Sequence, residues 1–341
     1  MSTTAASWDF PRGVSGIRVL LEVARELGIP IADLLDGSDL SPSSLTDADT
    51  IVDAAQEMTV IRNLVRLGGD RPGLGVAAGR RLTVGMLGVW GFAMLLSPTV
   101  SDLLDIALRH GHGKLSWIFM RPTLVRRPGS ARLELDASEL SPAVYHFILE
   151  RDLTSTATAI GRIVGQQLPL LLETSLPAER RQALRAALPQ AVSVGGSHRN
   201  AFVFDTATLT RPLPMADPLT AEAVERQCVD LAVRRARHAG LAGRIRYALH
   251  RRPASAPTLA DVAADRHVDP RTIRRQLSAE GTSFRALREE VRHRLALELL
   301  DTGELTVAQV SHRLGYSDPA SFSRAFRRWT GHSPSAYLLR S

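Results

Sequence analysis

Apolar positions recur at helical spacing along most of the chain, and near the C-terminus one such pattern occurs twice. From Asp318 to Thr330, Phe322, Phe326 and Trp329 fall on one stripe at about 3.6 residues per turn. Ala320, Ser321, Arg324 and Arg328 fall on another. Asp318 suits an N-cap and Pro319 the first helical position. Just upstream, Thr306 and Gln309 have capping-box spacing, which opens a short helix, and Leu314–Ser317 fits a tight turn. The same device stands 49 residues earlier. Thr258 and Asp261 open a short helix, 266–268 turn, and Asp269-Pro270 start a second helix. In that copy Ile273 and Leu277 take the places of Phe322 and Phe326, and Arg275 that of Arg324. An internal repeat that keeps both core positions and an outward arginine marks two helix-turn-helix units. Between them, Leu287, Val291, Leu295 and Leu299 line one side of 283–301, so one long helix joins the copies.

Charge supports this reading. The net charge is +7, and 240–341 alone hold 17 arginines against 10 acidic residues, so the remainder of the chain is neutral. A GC-rich coding sequence explains arginine over lysine but not this localisation. A basic surplus confined to the tandem module fits a partner that is a polyanion.

Residues 241–341 resemble the DNA-binding domain of the AraC/XylS family of bacterial transcription regulators. The resemblance rests on Leu259-Ala-Asp-Val-Ala263, Arg271-Thr-Ile-Arg-Arg-Gln-Leu277, Glu280-Gly-Thr-Ser-Phe284, Leu314-Gly-Tyr316, Ser321-Phe-Ser-Arg-Ala-Phe326 and Gly331-His-Ser-Pro334. The turn at Glu280-Gly281-Thr282 is one residue shorter than the commoner Glu-Thr-Gly turn, which affects where the linking helix sits. The resemblance implies an all-α domain of two helix-turn-helix units. It also implies a regulator that binds double-stranded DNA, responds to a small-molecule effector, acts as a homodimer and meets RNA polymerase at a promoter. Arginine suits bidentate contact with guanine. Arg271, Thr272, Arg275, Ser321 and Arg324 are therefore expected to read base edges, and Arg274, Arg327 and Arg328 to hold phosphates, which position without specifying. For each base-reading residue the alternative is a phosphate contact or a solvated helix face.

Upstream, the pattern predicts helices over 14–27, from Asp49 or Thr50 to Gly68, over 72–80, 99–110, 142–165 and 178–188. Strands are expected over 115–120, 131–136 and 168–173, with a final strand pair over 191–194 and 201–204. Helices grouped around short antiparallel strands make an α+β domain. Gly85, Gly88 and Gly91, three apart, would lie near one face of a helix; no Lys-Ser/Thr follows, so tight packing or ligand contact is the choice, not a phosphate loop. Residues from about 20 to 205 resemble the effector-binding segment of the ornithine-utilisation subgroup of the same family, on Gly73-Leu-Gly75, Gly85-Met-Leu-Gly88 and Ser97-Pro-Thr99. Pro212, Pro214 and Pro218 mark a boundary. The expected organisation is an effector-binding and dimerisation domain over 1–210, a connector over 211–240, and the DNA-binding domain over 241–341. The 219–239 helix is either a connector or a dimer interface.

Trp90, Phe92, Trp117 and Phe147 can line an apolar effector pocket or form ordinary core. No catalytic set stands out, so no enzyme activity, metal or cofactor is expected. His110-Gly-His112 reads as a solvated loop, and His146 with Glu150 as a surface ion pair. The alternative is a DNA-repair or other enzyme carrying the same DNA-binding module. The repair methyltransferases fused to such modules use several cysteines, whereas Cys228 is this sequence's sole one. No apolar run reaches the roughly 18 residues of a membrane span, and no signal-peptide pattern opens the chain, so the cytoplasm is the expected compartment.

Overall fold

The computed structural model of the chain describes residues 8, 10–47, 50–111, 115–165, 170–188, 192–238, 241–251, 253–266, 268–279, 282–301 and 305–338. Its contacts form two compact units, one over Ser7–Arg235 and the other over Ala236–Ser341.

In the first unit, β1 (Arg12–Gly13) and β2 (Ile51–Val52) pair antiparallel around α1 (Ser15–Glu26) and α2 (Ile31–Leu35). Helix α3 (Ala54–Gly68) starts after β2, later than Asp49 or Thr50, with Asp53 N donating to Gln56 Oε1 at 3.0 Å. Then come α4 (Leu74–Arg81), α5 (Val89–Leu95) and α6 (Val100–His110). The glycines at 85, 88 and 91 do not share a helix: a 3-10 turn covers Val84–Leu87, and Gly88 breaks the chain at φ 57° before α5. Of the three, Gly91 alone meets another segment tightly, its Cβ direction ending 2.3 Å from Val84 O.

The main sheet is made of β3 (Arg121–Arg127), β4 (Ser130–Asp136), β5 (Leu170–Thr174), β6 (Val192–Gly196) and β7 (Ala201–Asp205), in the order β3-β4-β7-β5-β6. It is mixed. β6 and β7, expected as a pair, do not pair: β7 lies antiparallel between β4 and β5, and β6 runs parallel to β5. Helix α8 (Ala178–Ala187) is the crossover that a parallel pair requires. Residues 115–120 form no strand. Their backbone is satisfied instead by buried side chains: Trp117 O accepts from Arg12 and Arg151, and Phe119 N donates to Asp152. Arg12, Glu57, Arg151 and Asp152 form a buried ion cluster, with Arg151 Nη1 3.0 Å from Glu57 Oε1 and Arg12 stacked 4.2 Å from the Phe119 ring centre. Removing one partner of such a cluster would leave an uncompensated buried charge.

The long helix α7 (Tyr145–Val164) crosses α4 at backbone contact distance, because Gly75 and Gly79 carry no Cβ. A Cβ on Gly75 would lie 2.2 Å from Phe147 O, and one on Gly79 2.5 Å from Arg151 O. Glu150 is buried at this crossing and accepts from Gly73 N, Gly75 N and Arg180 Nη1. Burial first of all pushes its carboxyl above the usual range, against the pull of those donors. It is therefore no surface partner of His146, which faces Asp70 instead.

A short helix, α9 (Thr206–Leu209), precedes the proline-rich stretch, which is bound to the first unit: Leu213 N donates to Pro98 O and Asp217 N to Leu96 O. Helix α10 (Pro218–His238) follows, with Ala221, Val224, Cys228 and Ala232 buried at helical spacing. His110 is buried rather than solvated, and its Nε2 lies 2.8 Å from Glu225 of α10. His112 lies outside the described residues. Arg235 Nη1 donates to Leu115 O. By contacts the first unit ends at Arg235, in the last turn of α10.

The second unit is helical. It comprises α11 (Leu241–Arg251), α12 (Leu259–Asp265), α13 (Pro270–Ala279), α14 (Phe284–Asp301), α15 (Val307–Arg313), α16 (Pro319–Thr330) and α17 (Pro334–Leu338). One core runs through it, from Ile245 and Leu249 through Leu287 and Val291 to Phe322 and Phe326.

Candidate functional site

The two repeats fold as the pattern predicts. Thr258 accepts from Asp261 N and Thr306 from Gln309 N, each closing a capping box at the start of the first helix of its unit. Val268 N, bonded to Ala263 O, brings the chain back at the first turn; His267 lies outside the described residues. At the second turn, Gly315 has φ 70°, and a Cβ there would meet Ala254 O at 2.9 Å. Asp269 and Asp318 open the two second helices, α13 and α16, by accepting from Arg271 N and Ser321 N. Ile273, Leu277, Phe322 and Phe326 are wholly buried. This seats each second helix on the core by one face and leaves the other in solvent.

On α13, Arg271, Arg274 and Arg275 are exposed and Thr272 is half-buried. No hydrogen bond or ion pair to another described residue is present at those three arginine side chains. On α16 the side chains are tethered. Ser321 Oγ donates to Asp318 Oδ2 at 2.7 Å and accepts from Arg324 Nη2 at 2.9 Å. The Ser321 hydrogen bonds, helped by Arg324, hold the Asp318 carboxyl below the usual range. Ser321 therefore steadies Arg324 and has its own hydroxyl proton in use. Arg328 is exposed but donates to Glu289 of α14 at 3.1 Å, whereas Arg327 is exposed without such a tether among the described residues.

Arg288 and Arg292, four apart on α14, face Arg324 and Arg328, four apart on α16, across a polar cleft of about 290 Å³. Arg292 lies 4.6 Å from the Tyr316 ring centre and donates to Gly315 O. Burial holds its guanidinium below the usual value. The sequence shows both i, i+4 pairs, but which α14 residues face α16 depends on where α14 is placed after the turn at 280–282. Glu280 and Gly281 lie outside the described residues.

The first unit contains a separate feature, an apolar cavity of about 90 Å³ between α5, α6, α7, 116–118 and the β3–β4 hairpin. Trp90 and Trp117 line it. Phe92 does not; it is exposed on the outer face of α5. Phe147 is buried where α7 crosses α4, outside the cavity wall. Cys228 is fully buried on α10, and burial, with Glu225 adding, pushes its thiol up to about 11.

Residues 28–213 match the family described as the arabinose-binding domain of AraC transcription regulators, and residues 262–340 match a helix-turn-helix domain. The chain is also 38% identical over 333 residues, 96% of each chain, to the uncharacterised HTH-type transcriptional regulator Rv1395 of Mycobacterium tuberculosis. The chain belongs to the AraC family of transcription regulators.

It is 28% identical, over 95% of each chain, to the ornithine utilization regulator of Pseudomonas aeruginosa. Among solved structures, the transcriptional regulator CdpR from Pseudomonas aeruginosa aligns over 95% of this chain and 97% of its own, at 22% identity and a TM-score of 0.45. This AraC-family protein is thus a DNA-binding transcription regulator with an effector-binding N-terminal domain and a helical helix-turn-helix region. None of its described helices is long and apolar enough to cross a membrane.

Proposed function

We propose that one chain reads one asymmetric DNA site with two unlike helices. On α13, Arg271, Thr272 and Arg275 face the bases; on α16, Arg324 does so with Ser321 as its strut. Arg274, Arg327 and Arg328 hold phosphates, joined by Arg288 on the linking helix. The observation that carries this reading is the tethered Arg324, whose guanidinium is held by Ser321 on the exposed face of a helix seated on the core. A side chain fixed before binding loses less freedom on contact and is better suited to discriminate between bases. Measuring Arg275→Ala and Arg324→Ala on cognate and scrambled duplexes tests the reading. Selective loss on the cognate site supports it, and equal loss on both duplexes contradicts it.

The effector reading rests on the cavity that Trp90 and Trp117 line, with Phe92 and Phe147 now outside the set. Ligand binding there shifts DNA affinity only as far as it favours one arrangement of the protein. The first unit is also the part we assign to self-association, because it is close to neutral and exposes Leu219, Met215 and Phe92. Light scattering on the full chain tests this: a dimer supports it and a monomer at micromolar concentration does not. RNA polymerase is the further partner, and the cytoplasm the compartment, that this role requires. The enzyme alternative would be favoured by stoichiometric bound metal or by a reactive Cys228, and the burial of Cys228 opposes the second.

A further inference from the structure

The cavity's wall carries information about its ligand. Among the described residues that line it, none is charged. Leu104, Leu133 and Ile160 stand for its apolar majority, and the polar exceptions are few. Both indole N–H groups are already directed at protein acceptors, Trp90 Nε1 at Ile106 O and Trp117 Nε1 at Ser155 Oγ. Ser155 in turn donates to Asp152 O at 3.1 Å. Two hydroxyls remain. Ser116 Oγ accepts from Ile118 N at 3.0 Å, which leaves its own proton free, and Thr156 Oγ1 is buried without a hydrogen-bond partner among the described residues.

We infer that the cavity takes a compact, uncharged, hydrocarbon-rich molecule of about one ring, bearing a single hydrogen-bond acceptor that meets Thr156 and Ser116. This inference rests on the effector reading of the cavity and narrows the chemistry of its ligand. Three observations carry it. The volume of about 90 Å³ is below the roughly 150 Å³ of an apolar cavity known to hold benzene, so a single ring already fills it closely and anything larger forces the walls apart. The wall offers no counter-charge, and a buried carboxylate or ammonium left without one is strongly disfavoured relative to water. A buried hydroxyl without a partner is itself unfavourable, and a carbonyl or ether oxygen relieves it.

Four probes of one ring size separate these contributions: cyclohexanone, cyclohexane, cyclohexanecarboxylate and cyclohexylamine. Each is titrated into the full chain by calorimetry, with thermal melting as a second readout. Cyclohexanone should bind and raise the melting temperature. The two charged analogues should bind at least about 100-fold more weakly, given the uncompensated charge. Thr156→Val, which keeps the side-chain shape, should weaken cyclohexanone by about fivefold and leave cyclohexane unchanged. Ala159→Leu, which fills the cavity, should abolish binding of both, with circular dichroism confirming the fold. Tighter binding of the carboxylate or the amine, itself blocked by Ala159→Leu, overturns the ligand class and leaves the cavity as the effector site. Binding that survives Ala159→Leu in the folded protein, or no binding by any probe, overturns the cavity reading and the ligand class with it. If Thr156→Val weakens cyclohexane as much as cyclohexanone, the hydroxyl has no role as partner and that part of the inference is wrong.

Discussion

Arg324→Ala removes a guanidinium that the folded protein already holds in place. Asp318 caps α16 through Ser321 N at 2.7 Å, Ser321 Oγ bonds to the same carboxyl, and Arg324 donates to Ser321 at 2.9 Å. None of these bonds fixes the helix by way of Arg324, since the cap survives its loss and Phe322 and Phe326 keep their burial. The substitution should therefore leave the melting temperature within about 1 °C, as surface changes away from caps and core do. On the cognate duplex it should cost about 1–3 kcal/mol, the value of one bidentate guanine contact, or roughly 5- to 150-fold in Kd. On scrambled DNA of equal length the loss should stay near threefold, because only general attraction to phosphate is reduced. Fluorescence anisotropy at several salt concentrations measures both losses. Equal losses on the two duplexes, or a selective loss matched by Arg327→Ala, would refute the assignment of base reading to Arg324.

Arg328→Ala should weaken cognate and scrambled DNA alike, by the loss of one phosphate contact. Glu289→Gln frees Arg328 from its 3.1 Å ion pair, so anisotropy should show binding tightened by about two- to fivefold on both DNAs, with no gain counting against Arg328 as a phosphate ligand. Gly75→Ala places a Cβ 2.2 Å from Phe147 O and should lower unfolding free energy by about 3 kcal/mol in urea titrations, whereas Gly161→Ala on α7, with open space around it, should be neutral or mildly stabilising. With its thiol raised to about 11, Cys228 is thiolate in about one molecule in a thousand at pH 8, so a disulfide reagent should label the folded chain slowly and the denatured chain fully. Rapid stoichiometric labelling of the folded protein would revive the enzyme alternative.

The second unit could be read from the sequence because its determinants are local. Asp318-Pro319, the Thr306 and Thr258 capping boxes and the i, i+4 aromatics each act within one or two turns of helix. What escaped there was contact between elements, such as the Arg328–Glu289 pair; the Ser321–Arg324 hydrogen bond, by contrast, lies within one turn of α16. The first unit was less legible, for a physical reason. Residues 115–120 look like a strand, yet their backbone partners are Arg12, Arg151 and Asp152, distant in sequence and normally expected at the surface. Gly85, Gly88 and Gly91 keep helical spacing, but a left-handed Gly88 interrupts the helix. The position of β7 between β4 and β5 follows from long-range pairing that no local pattern encodes. Trp90 and Trp117 line the cavity, but by size and polarity alone they read equally well as core. Phe92 and Phe147 looked the same, and only the packing of α5 and α7 separates them.

The central claim is that two unlike helices of one chain read two parts of one site. Selection of binding sites from random duplexes with the full-length protein, repeated for Arg275→Ala and Arg324→Ala, tests it most directly. For each protomer the wild type should select two different blocks whose centres lie one helical turn apart, about 34 Å. Arg275→Ala should relax sequence preference in one block and Arg324→Ala in the other. A single selected block, or both variants relaxing the same block, would contradict the account.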